Sequence, residues 1–245
     1  MLLLARDLAP QEQALQQQRQ FVNQLAHELN TPLAIVNGSL RQLGKKLLKF
    51  GDGSKERLRQ AQQETSRLVR LLRHLLVLTD LETGRRQLQL QPLALKPWLQ
   101  EWMAQQGLPF STQLNLVSDT GEGAMVATDA KALAEVLDQL LDNSLRYSEG
   151  PAQIELKLLE LDGAIGLRWR DQGLGITAEP RSQVFERFVR LEEHRDFDLA
   201  DGAGLGLALC EALMQAMGGR IELEPNTNPT IGVAFLLWWP QVLGR

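Results

Sequence analysis

The chain has 245 residues, of which 44% are hydrophobic, and a formal net charge of −4 at pH 7. That length suits one large or two modest domains with an apolar core, and the charge gives no indication of nucleic-acid binding. One cysteine, Cys210, excludes an intramolecular disulfide and agrees with a reducing compartment, and three histidines far apart in sequence do not have the spacing of a Cys/His metal site. No apolar run approaches the roughly 20 residues that span a bilayer, so we expect a cytoplasmic chain without a membrane segment, or the soluble part of something longer.

The first periodic segment follows a glutamine-rich stretch and predicts a long helix that ends near Phe50. Residues 1–14 are expected to form a lead-in to this helix, either helical or a frayed tail. Apolar residues then recur at steps of three and four, which is typical of one buried stripe on a helix. The stripe consists of Val22, Leu25, Leu29, Leu33, Val36, Leu40, Leu43 and Leu47.

A second helix with the same kind of stripe follows a short turn. Residues 51–54, Gly-Asp-Gly-Ser, supply turn chemistry, with Ser54 as the candidate N-cap. The stripe consists of Leu58, Ala61, Thr65, Leu68, Leu72, Leu75 and Thr79. Two such helices form a hairpin, which cannot enclose its apolar seam alone. We therefore expect residues 15–85 to be a dimerisation domain, in which a homodimer forms a four-helix bundle.

His27 lies on the polar side of the first helix, because it is two residues, roughly 200° at about 100° per residue, from the stripe positions on either side of it. Thr31, at i+4, shares its face, and Glu28 is its neighbour. Pro32 loosens the helix by crowding a backbone carbonyl one turn earlier. An exposed histidine beside an acid is a candidate nucleophile, although a solitary helical histidine is most often only a solvated side chain.

The residues after the second helix predict a separate α+β domain, a mixed sheet with helices on one face. The pattern breaks at Thr83-Gly84-Arg85-Arg86, and the second domain is expected to cover residues 86–245. Its elements alternate between the two periodicities, with turn residues between them. We expect strands at Gln87–Gln91, 114–117, 125–127, Ile154–Leu161, Ile165–Arg170, Arg220–Glu224 and Gly232–Trp239, and helices at Leu95–Gln106, from the Asp129 cap to Tyr147, and at Leu205–Met217.

One side of the helix 129–147 is polar. Gln139, Asn143, Arg146 and Tyr147 share it at i, i+4, i+7 and i+8. The carboxamide oxygen of Asn143 suits Mg²⁺, a hard cation that prefers oxygen ligands. Arg146 offers charge to phosphate, and Tyr147 offers a flat face to a base.

Three further segments of the second domain carry glycines or aromatic residues. Residues 171–175, Asp-Gln-Gly-Leu-Gly, follow a strand, so that glycines permit close backbone approach and the carboxylate can accept from an exocyclic amine. Residues 184–188 place Phe185 and Phe188 at i and i+3, and both could simply be core. Residues 202–207, Gly-Ala-Gly-Leu-Gly-Leu, open a helix whose free N–H groups attract phosphate.

The segment His27-Glu28-x-x-Thr31-Pro32 resembles the phosphoacceptor box of the sensor histidine kinases of two-component systems. The polar helix face and the three segments above resemble, in order, the N, G1, F and G2 boxes of the ATP-binding domain in that family, which is of the gyrase and Hsp90-like ATPase type. The resemblance covers about residues 15 to 240. It implies a dimeric four-helix bundle followed by an α/β sandwich of that ATPase type.

For the second domain the resemblance implies a site for ATP and Mg²⁺. Asn143 would be the Mg²⁺ ligand, Arg146 a phosphate contact and Tyr147 part of the base pocket. Asp171, in a loop with Gly173 and Gly175, would read the adenine amine. Gly202, Gly204 and Gly206 would form the phosphate loop, and residues 176–201 would be the lid over the nucleotide.

For the first domain the resemblance implies that His27 receives the γ-phosphoryl group, with Glu28 as the base for the ring proton. The group would then pass to an aspartate on a response-regulator receiver domain. Family members use the acid and the Thr of this box to help water hydrolyse the regulator's phosphoaspartate, so Thr31 and Glu28 imply phosphatase activity as well.

The chain departs from the family pattern at three positions. The family usually has Arg or Lys where this chain has Asn30, and Ser where it has Ala26. Gln139 stands where the N box generally carries a first asparagine. Two other classes stay open: a gyrase- or Hsp90-like ATPase, which does not need the box around His27, and a non-catalytic dimeric adaptor, which does not need Asn143 and the residues of the other nucleotide boxes.

Overall fold

The computed structural model of the chain describes residues 33–34, 36–43, 52–108, 112–118, 124–161, 163–176, 183–189, 204–224 and 232–240. Two compact units cover the chain, Met1–Arg86 and Gln87–Arg245. Among the described residues, no helix is long and apolar enough to cross a membrane.

The first unit contains a helical hairpin. Residues 33–34 and 36–43 are helical, and the helix α1 covers Asp52–Glu82. Gln62 Nε2 donates to the carbonyl oxygen of Leu40 at 2.9 Å, and Asn37 Nδ2 donates to Ser66 Oγ at 3.4 Å. Because the partner number falls as the residue number rises, the two helices run antiparallel.

The apolar seam of this hairpin is only partly covered. Val36, Leu43 and Leu68 are 47%, 49% and 45% exposed, respectively. The expected N-cap at Ser54 is wrong, since α1 already begins at Asp52 and Ser54 lies within the helix. The helix ends as expected near Gly84, whose φ of 67° stops it.

The second unit is a mixed α/β unit. Its elements are β1 (Gln91–Ala94), α2 (Leu95–Gln105), β2 (Gln113–Ser118), β3 (Met125–Thr128), α3 (Ala130–Arg146), β4 (Gln153–Leu161), β5 (Ala164–Asp171), a 3₁₀ turn (Gln183–Phe185), α4 (Gly206–Ala216), β6 (Arg220–Leu223) and β7 (Ala234–Pro240). The expected α+β chain, with a helical hairpin before a mixed sheet, is confirmed.

The main sheet has five strands in the order β2-β4-β5-β7-β6, and β1 pairs with β3 separately. Only the β2–β4 pair is parallel among the described strands. Along β4, Ile154, Leu156 and Leu158 are fully buried, while the residues between them are more exposed. This alternation is typical of a sheet with one face on the core, and the buried side of α3 supplies much of that core.

Two strands begin later than the sequence pattern predicts. The predicted strand Gln87–Gln91 is wrong, because residues 87–90 are not in a strand and β1 begins at Gln91. The backbone N–H of Gln89 donates instead to Asp129 Oδ2 at 2.8 Å. Similarly, β7 begins at Ala234 rather than Gly232, because Gly232 has a φ of 64° and belongs to a loop.

The predicted helix after Asp129 is confirmed, and it positions much of the site. Asp129 Oδ1 accepts from the backbone N–H groups of Lys131 and Ala132 at 2.9 and 3.1 Å, which caps α3. Strands β4 and β5 form the expected antiparallel hairpin, with Gly163 at a φ of 74° in its turn. The C-terminal end of α3 and the end of β5 meet in the region described next.

Candidate functional site

Asp171, the last residue of β5, is 6% exposed and carries three hydrogen bonds on its carboxylate. Oδ1 accepts from the backbone N–H of Gly173 at 3.0 Å and from that of Val233 at 3.2 Å. Oδ2 accepts from the hydroxyl of Ser144 at 2.7 Å. Hydrogen bonds to an ionised acceptor are strong and directional, so the carboxylate is held in one orientation.

The loop after Asp171 packs against the C-terminal end of α3. Leu174 N donates to the carbonyl oxygen of Tyr147 at 3.0 Å. A Cβ on Gly173 would stand 2.7 Å from that same oxygen, so a larger residue does not fit there. The structure thus brings Asp171, Gly173 and Tyr147 together. Gly175 is buried, with a φ of 80° that favours glycine.

A second loop closes on Asp171 from the start of β7. A Cβ on Gly232 would stand 1.8 Å from the carbonyl oxygen of Asp171, and Gly232 N donates to the carbonyl oxygen of Gly173 at 3.1 Å. In addition, Asp171 N donates to the carbonyl oxygen of Val233 at 2.9 Å. The backbone on this side is therefore fixed by a glycine that the sequence reasoning did not assign to the site.

The middle of α3 contacts the start of α4. A Cβ on Gly206, the first residue of α4, would stand 3.0 Å from Oε1 of Gln139. The extra methylene of Gln139, compared with the asparagine usual there, carries its amide up to this glycine. Gly204 has a φ of 70°, and its carbonyl oxygen accepts from Phe188 N at 2.8 Å. A Cβ on Gly204 would meet the Phe188 backbone.

Asn143 and Arg146 lie on α3 between Gln139 and Tyr147. The polar side from Gln139 to Tyr147 spans eight residues, or roughly 12 Å at about 1.5 Å per residue. Asn143 is half-buried. Arg146 donates to Asp142 Oδ2 at 2.7 Å within the helix, so its guanidinium is paired in this structure.

The two phenylalanines of the segment 184–188 behave differently. The rings of Phe185 and Phe235 meet edge to face with centroids 6.3 Å apart, so the half-buried Phe185 packs against the core. Phe188 is 64% exposed and has a φ of 64°. A core position for Phe188 is therefore wrong, because its backbone is turned by the contact with Gly204.

Some predicted site residues lie outside the part of the chain that the structure describes. They are His27, Glu28, Thr31 and Gly202. Their roles stay predictions from the sequence.

Two ionisable groups in the middle of α4 have altered pKa values. Burial raises the pKa of the Cys210 thiol above its ordinary value, and the thiol donates to the carbonyl oxygen of Val136 at 3.7 Å. Partial burial raises the pKa of the Glu211 carboxyl. A buried cysteine with a raised pKa is unreactive, so Cys210 is a core residue.

Sequence reasoning missed Ser144 and Trp169, which complete the surroundings of Asp171. Trp169 Nε1 donates to Ser144 Oγ at 3.0 Å, and both residues are buried. Two signals were present. Ser144 continues the packed side of α3 one turn after Leu140 and Leu141, and Trp169 lies two residues before Asp171, on the same face of β5.

Two family models match the chain. The model of the "His Kinase A (phospho-acceptor) domain" matches residues 17–84. The model of the "Histidine kinase-, DNA gyrase B-, and HSP90-like ATPase" matches residues 128–243. The two matches fall in different structural units.

Two curated relatives match most of the chain. The signal transduction histidine-protein kinase BaeS of Escherichia coli (strain K12) is 30% identical over 217 residues, which are 86% of this chain and 44% of BaeS. The sensor protein kinase WalK of Staphylococcus saprophyticus is 25% identical over 222 residues, which are 90% of this chain and 36% of that protein. The chain thus spans less than half the length of either relative.

Solved structures share the fold. Full-length ShkA in complex with AMPPNP has a TM-score of 0.69 and 22% identity, covering 92% of this chain and 46% of ShkA. The histidine kinase AdeS of Acinetobacter baumannii has a TM-score of 0.57 and 22% identity, covering 88% of this chain and 98% of that structure's chain.

Proposed function

This chain belongs to the sensor histidine kinases of two-component systems, with a phosphoacceptor domain before an ATPase domain, and we propose that it transfers the γ-phosphoryl group of ATP to His27. The phosphoryl group then passes to an aspartate on the receiver domain of a response regulator. The observation that carries the proposal is the buried Asp171 carboxylate, fixed by three hydrogen bonds inside an ATPase domain that follows a phosphoacceptor domain. The reaction takes place in the cytoplasm, where ATP is supplied.

The adenine base of ATP binds at the C-terminal end of α3. A carboxylate only accepts hydrogen bonds, so Asp171 pairs with the exocyclic amine of adenine, a donor. Gly173 lets the loop lie close to Tyr147, and the half-buried Tyr147 lines one side of the base. Gly175, with its positive φ, carries the chain away from the base.

The phosphates lie towards the start of α4. The N-cap of this helix, Leu205, makes no side-chain cap hydrogen bond, so the first backbone N–H groups of α4 have no side-chain acceptor at the cap. Such groups and the positive end of the helix bind phosphate. Gly202, Gly204 and Gly206 supply the close approach, and Arg146 adds charge when it exchanges Asp142 for a phosphate oxygen.

The donor set fits Mg²⁺ held mainly by the nucleotide. Mg²⁺ is usually held by one or two protein ligands together with substrate phosphates and water, and the amide oxygen of Asn143 would be such a ligand. The described residues contain no cluster of three or more His, Cys, Asp or Glu side chains that could hold a metal by themselves. When bound, Mg²⁺ neutralises charge on the phosphates.

The chemistry uses the box around His27. Neutral imidazole attacks the γ-phosphorus, the bond to the bridging oxygen breaks, and ADP leaves with that oxygen. Glu28 takes the proton from the other ring nitrogen. In the opposing phosphatase activity, Thr31 and Glu28 orient the water that hydrolyses the regulator's phosphoaspartate and releases phosphate.

We propose that the working unit is a homodimer. Val36, Leu43 and Leu68 expose apolar surface along the hairpin, and burial stabilises by about 25 cal/mol per Å². A second copy that covers this seam completes the four-helix bundle. The regulator's receiver domain docks on the bundle beside His27.

Incubation with γ-labelled ATP and Mg²⁺ tests the proposal. We expect a covalent label that is labile in acid and stable in alkali, as a phosphohistidine is. An Hsp90-like ATPase would release labelled phosphate without labelling the protein, and an adaptor would do neither. The variant Asn143→Ala serves as a control and should lose Mg²⁺-dependent labelling.

A further inference from the structure

A chain of buried hydrogen bonds runs behind the Asp171 carboxylate. Trp169 Nε1 donates to Ser144 Oγ at 3.0 Å, and the hydroxyl of Ser144 donates to Asp171 Oδ2 at 2.7 Å. Trp169 is 0% exposed, Ser144 2% and Asp171 6%. The proposed function assigns a role to the Asp171 carboxylate, but none to Ser144 or Trp169.

The bonds determine which acceptor position on Asp171 is left for a ligand. A carboxylate has about four lone-pair positions, two on each oxygen. On Oδ1, the backbone N–H groups of Gly173 and Val233 occupy both. On Oδ2, Ser144 occupies one. The position that these protein groups leave open is therefore on Oδ2, next to the serine hydroxyl.

The direction of the serine proton is also determined. The indole N–H can only donate, so Ser144 must accept from Trp169 and has its own proton for Asp171. Trp169 cannot turn away, because its ring meets that of Trp102 edge to face, with centroids 6.2 Å apart. Trp102 is held in turn, since its Nε1 donates to Asp138 Oδ1 at 3.1 Å.

We infer that Ser144 is a positioning residue that makes this site select 6-aminopurine over 6-oxopurine nucleotides. The inference rests on the proposed function, in which Asp171 reads the base. With Ser144 in place, the position that the described residues leave open on Oδ2 meets the 6-amino group of adenine, a donor, and repels the 6-oxo group of hypoxanthine or guanine. Without the serine proton, Oδ2 gains a second open position, which can accept from the N1–H of a 6-oxopurine while Oδ1 keeps its two backbone hydrogen bonds.

The test compares three triphosphates that differ only at the purine ring. ATP carries the 6-amino group, inosine triphosphate carries a 6-oxo group, and purine riboside triphosphate carries neither. Dissociation constants with Mg²⁺ are measured by calorimetry on the full chain. A site built to hydrogen-bond a substrate group discriminates strongly against analogues that lack it, so the wild type should prefer ATP over inosine triphosphate by about 20-fold or more.

In Ser144→Ala, this preference should fall by about 5-fold or more, since a hydrogen bond to a charged group is removed. The affinity for purine riboside triphosphate should stay within about 2-fold of the wild type, because that ligand has no group to place on Oδ2. Ser144→Thr, which keeps the hydroxyl, should retain the preference. Ser148→Ala is the matched control, since the hydroxyl of Ser148 donates to the backbone carbonyl of Ser144 at 2.7 Å and not to Asp171. This variant should prefer ATP over inosine triphosphate as strongly as the wild type does.

An unchanged ATP preference in Ser144→Ala would overturn the inference. So would an equal loss of affinity for all three nucleotides, which is the signature of a purely structural role. If Ser144→Ala does not fold, Ser144→Cys decides. Cysteine has the shape of serine with a slightly larger atom and a weak donor, and an unchanged preference in this variant refutes the inference. A wild type that binds purine riboside triphosphate as tightly as ATP would instead refute the adenine contact of Asp171 itself.

Discussion

Asp171→Asn changes one carboxylate oxygen into an amide nitrogen and keeps the shape of the side chain. The amide oxygen can still accept from the backbone N–H groups of Gly173 and Val233, as Oδ1 does now. The amide nitrogen then takes the place of Oδ2, beside Ser144. The amide N–H would then face the 6-amino group of adenine, and two donors cannot form a hydrogen bond with each other.

The size of the effect follows from these contacts. The substitution removes one hydrogen bond between the base and a charged acceptor, worth about 1.5–3 kcal/mol. At about 1.4 kcal/mol per decade, ATP binding should weaken by roughly 10- to 150-fold. The free energy of unfolding should fall by less than the free energy of ATP binding, because the two backbone hydrogen bonds at the Oδ1 position remain and only the bond from Ser144 changes.

Calorimetric titration with ATP·Mg²⁺ measures the dissociation constant directly, and circular dichroism reports whether the variant is folded. The matched control is Glu101→Gln, which makes the same change to an exposed carboxylate on α2, outside the contacts of Asp171. The control should bind ATP like the wild type. Wild-type ATP affinity in a folded Asp171→Asn protein would refute the contact between Asp171 and the adenine amine.

Three further substitutions test other parts of the structure. Gly232→Ala should lower the free energy of unfolding, measured in urea titrations, by at least about 2 kcal/mol, and it should abolish ATP binding, because the new Cβ would stand 1.8 Å from the carbonyl oxygen of Asp171. Gly107→Ala is the control and should do neither, since its Cβ would have nothing within 4 Å. Glu211→Gln should be more stable than the wild type at pH 7, because a raised carboxyl pKa disfavours the ionised form in the folded state, and the difference should vanish below the ordinary pKa of 4.5; a difference that grows in acid would contradict this. Thr31→Ala should keep the rate of autophosphorylation but lower the rate of regulator dephosphorylation by roughly 10-fold, which corresponds to about 1.4 kcal/mol. Equal losses in the two rates would exclude a phosphatase role for Thr31.

The sequence predicts most of this fold, because local signals and tertiary structure agree. Asp129 is a capping residue before a strongly periodic segment, and it does cap α3. The alternation that predicts paired strands from Ile154 onwards is satisfied by burial of one face. The strand predicted at Gln87–Gln91 fails for a long-range reason, since the N–H of Gln89 donates to a carboxylate 40 residues later.

The surroundings of Asp171 are less predictable from the sequence. Glycines spaced along residues 171–175 indicate a close backbone approach, but not that Tyr147 supplies the oxygen they approach. Val233 lies 62 residues from Asp171, and no local pattern links the two. Ser144 occupies a packed position of α3, where a polar residue signals a buried partner, and only the fold identifies that partner as Asp171.

Under the proposed function, His27 receives the phosphoryl group of ATP bound in the second domain. The most direct test is labelling of His27→Gln with γ-labelled ATP, combined with calorimetry on the same preparation. We expect complete loss of acid-labile label with ATP affinity unchanged, because the substitution removes the nucleophile and leaves the nucleotide site intact. Label that persists on the variant at the wild-type level would show that His27 is not the acceptor.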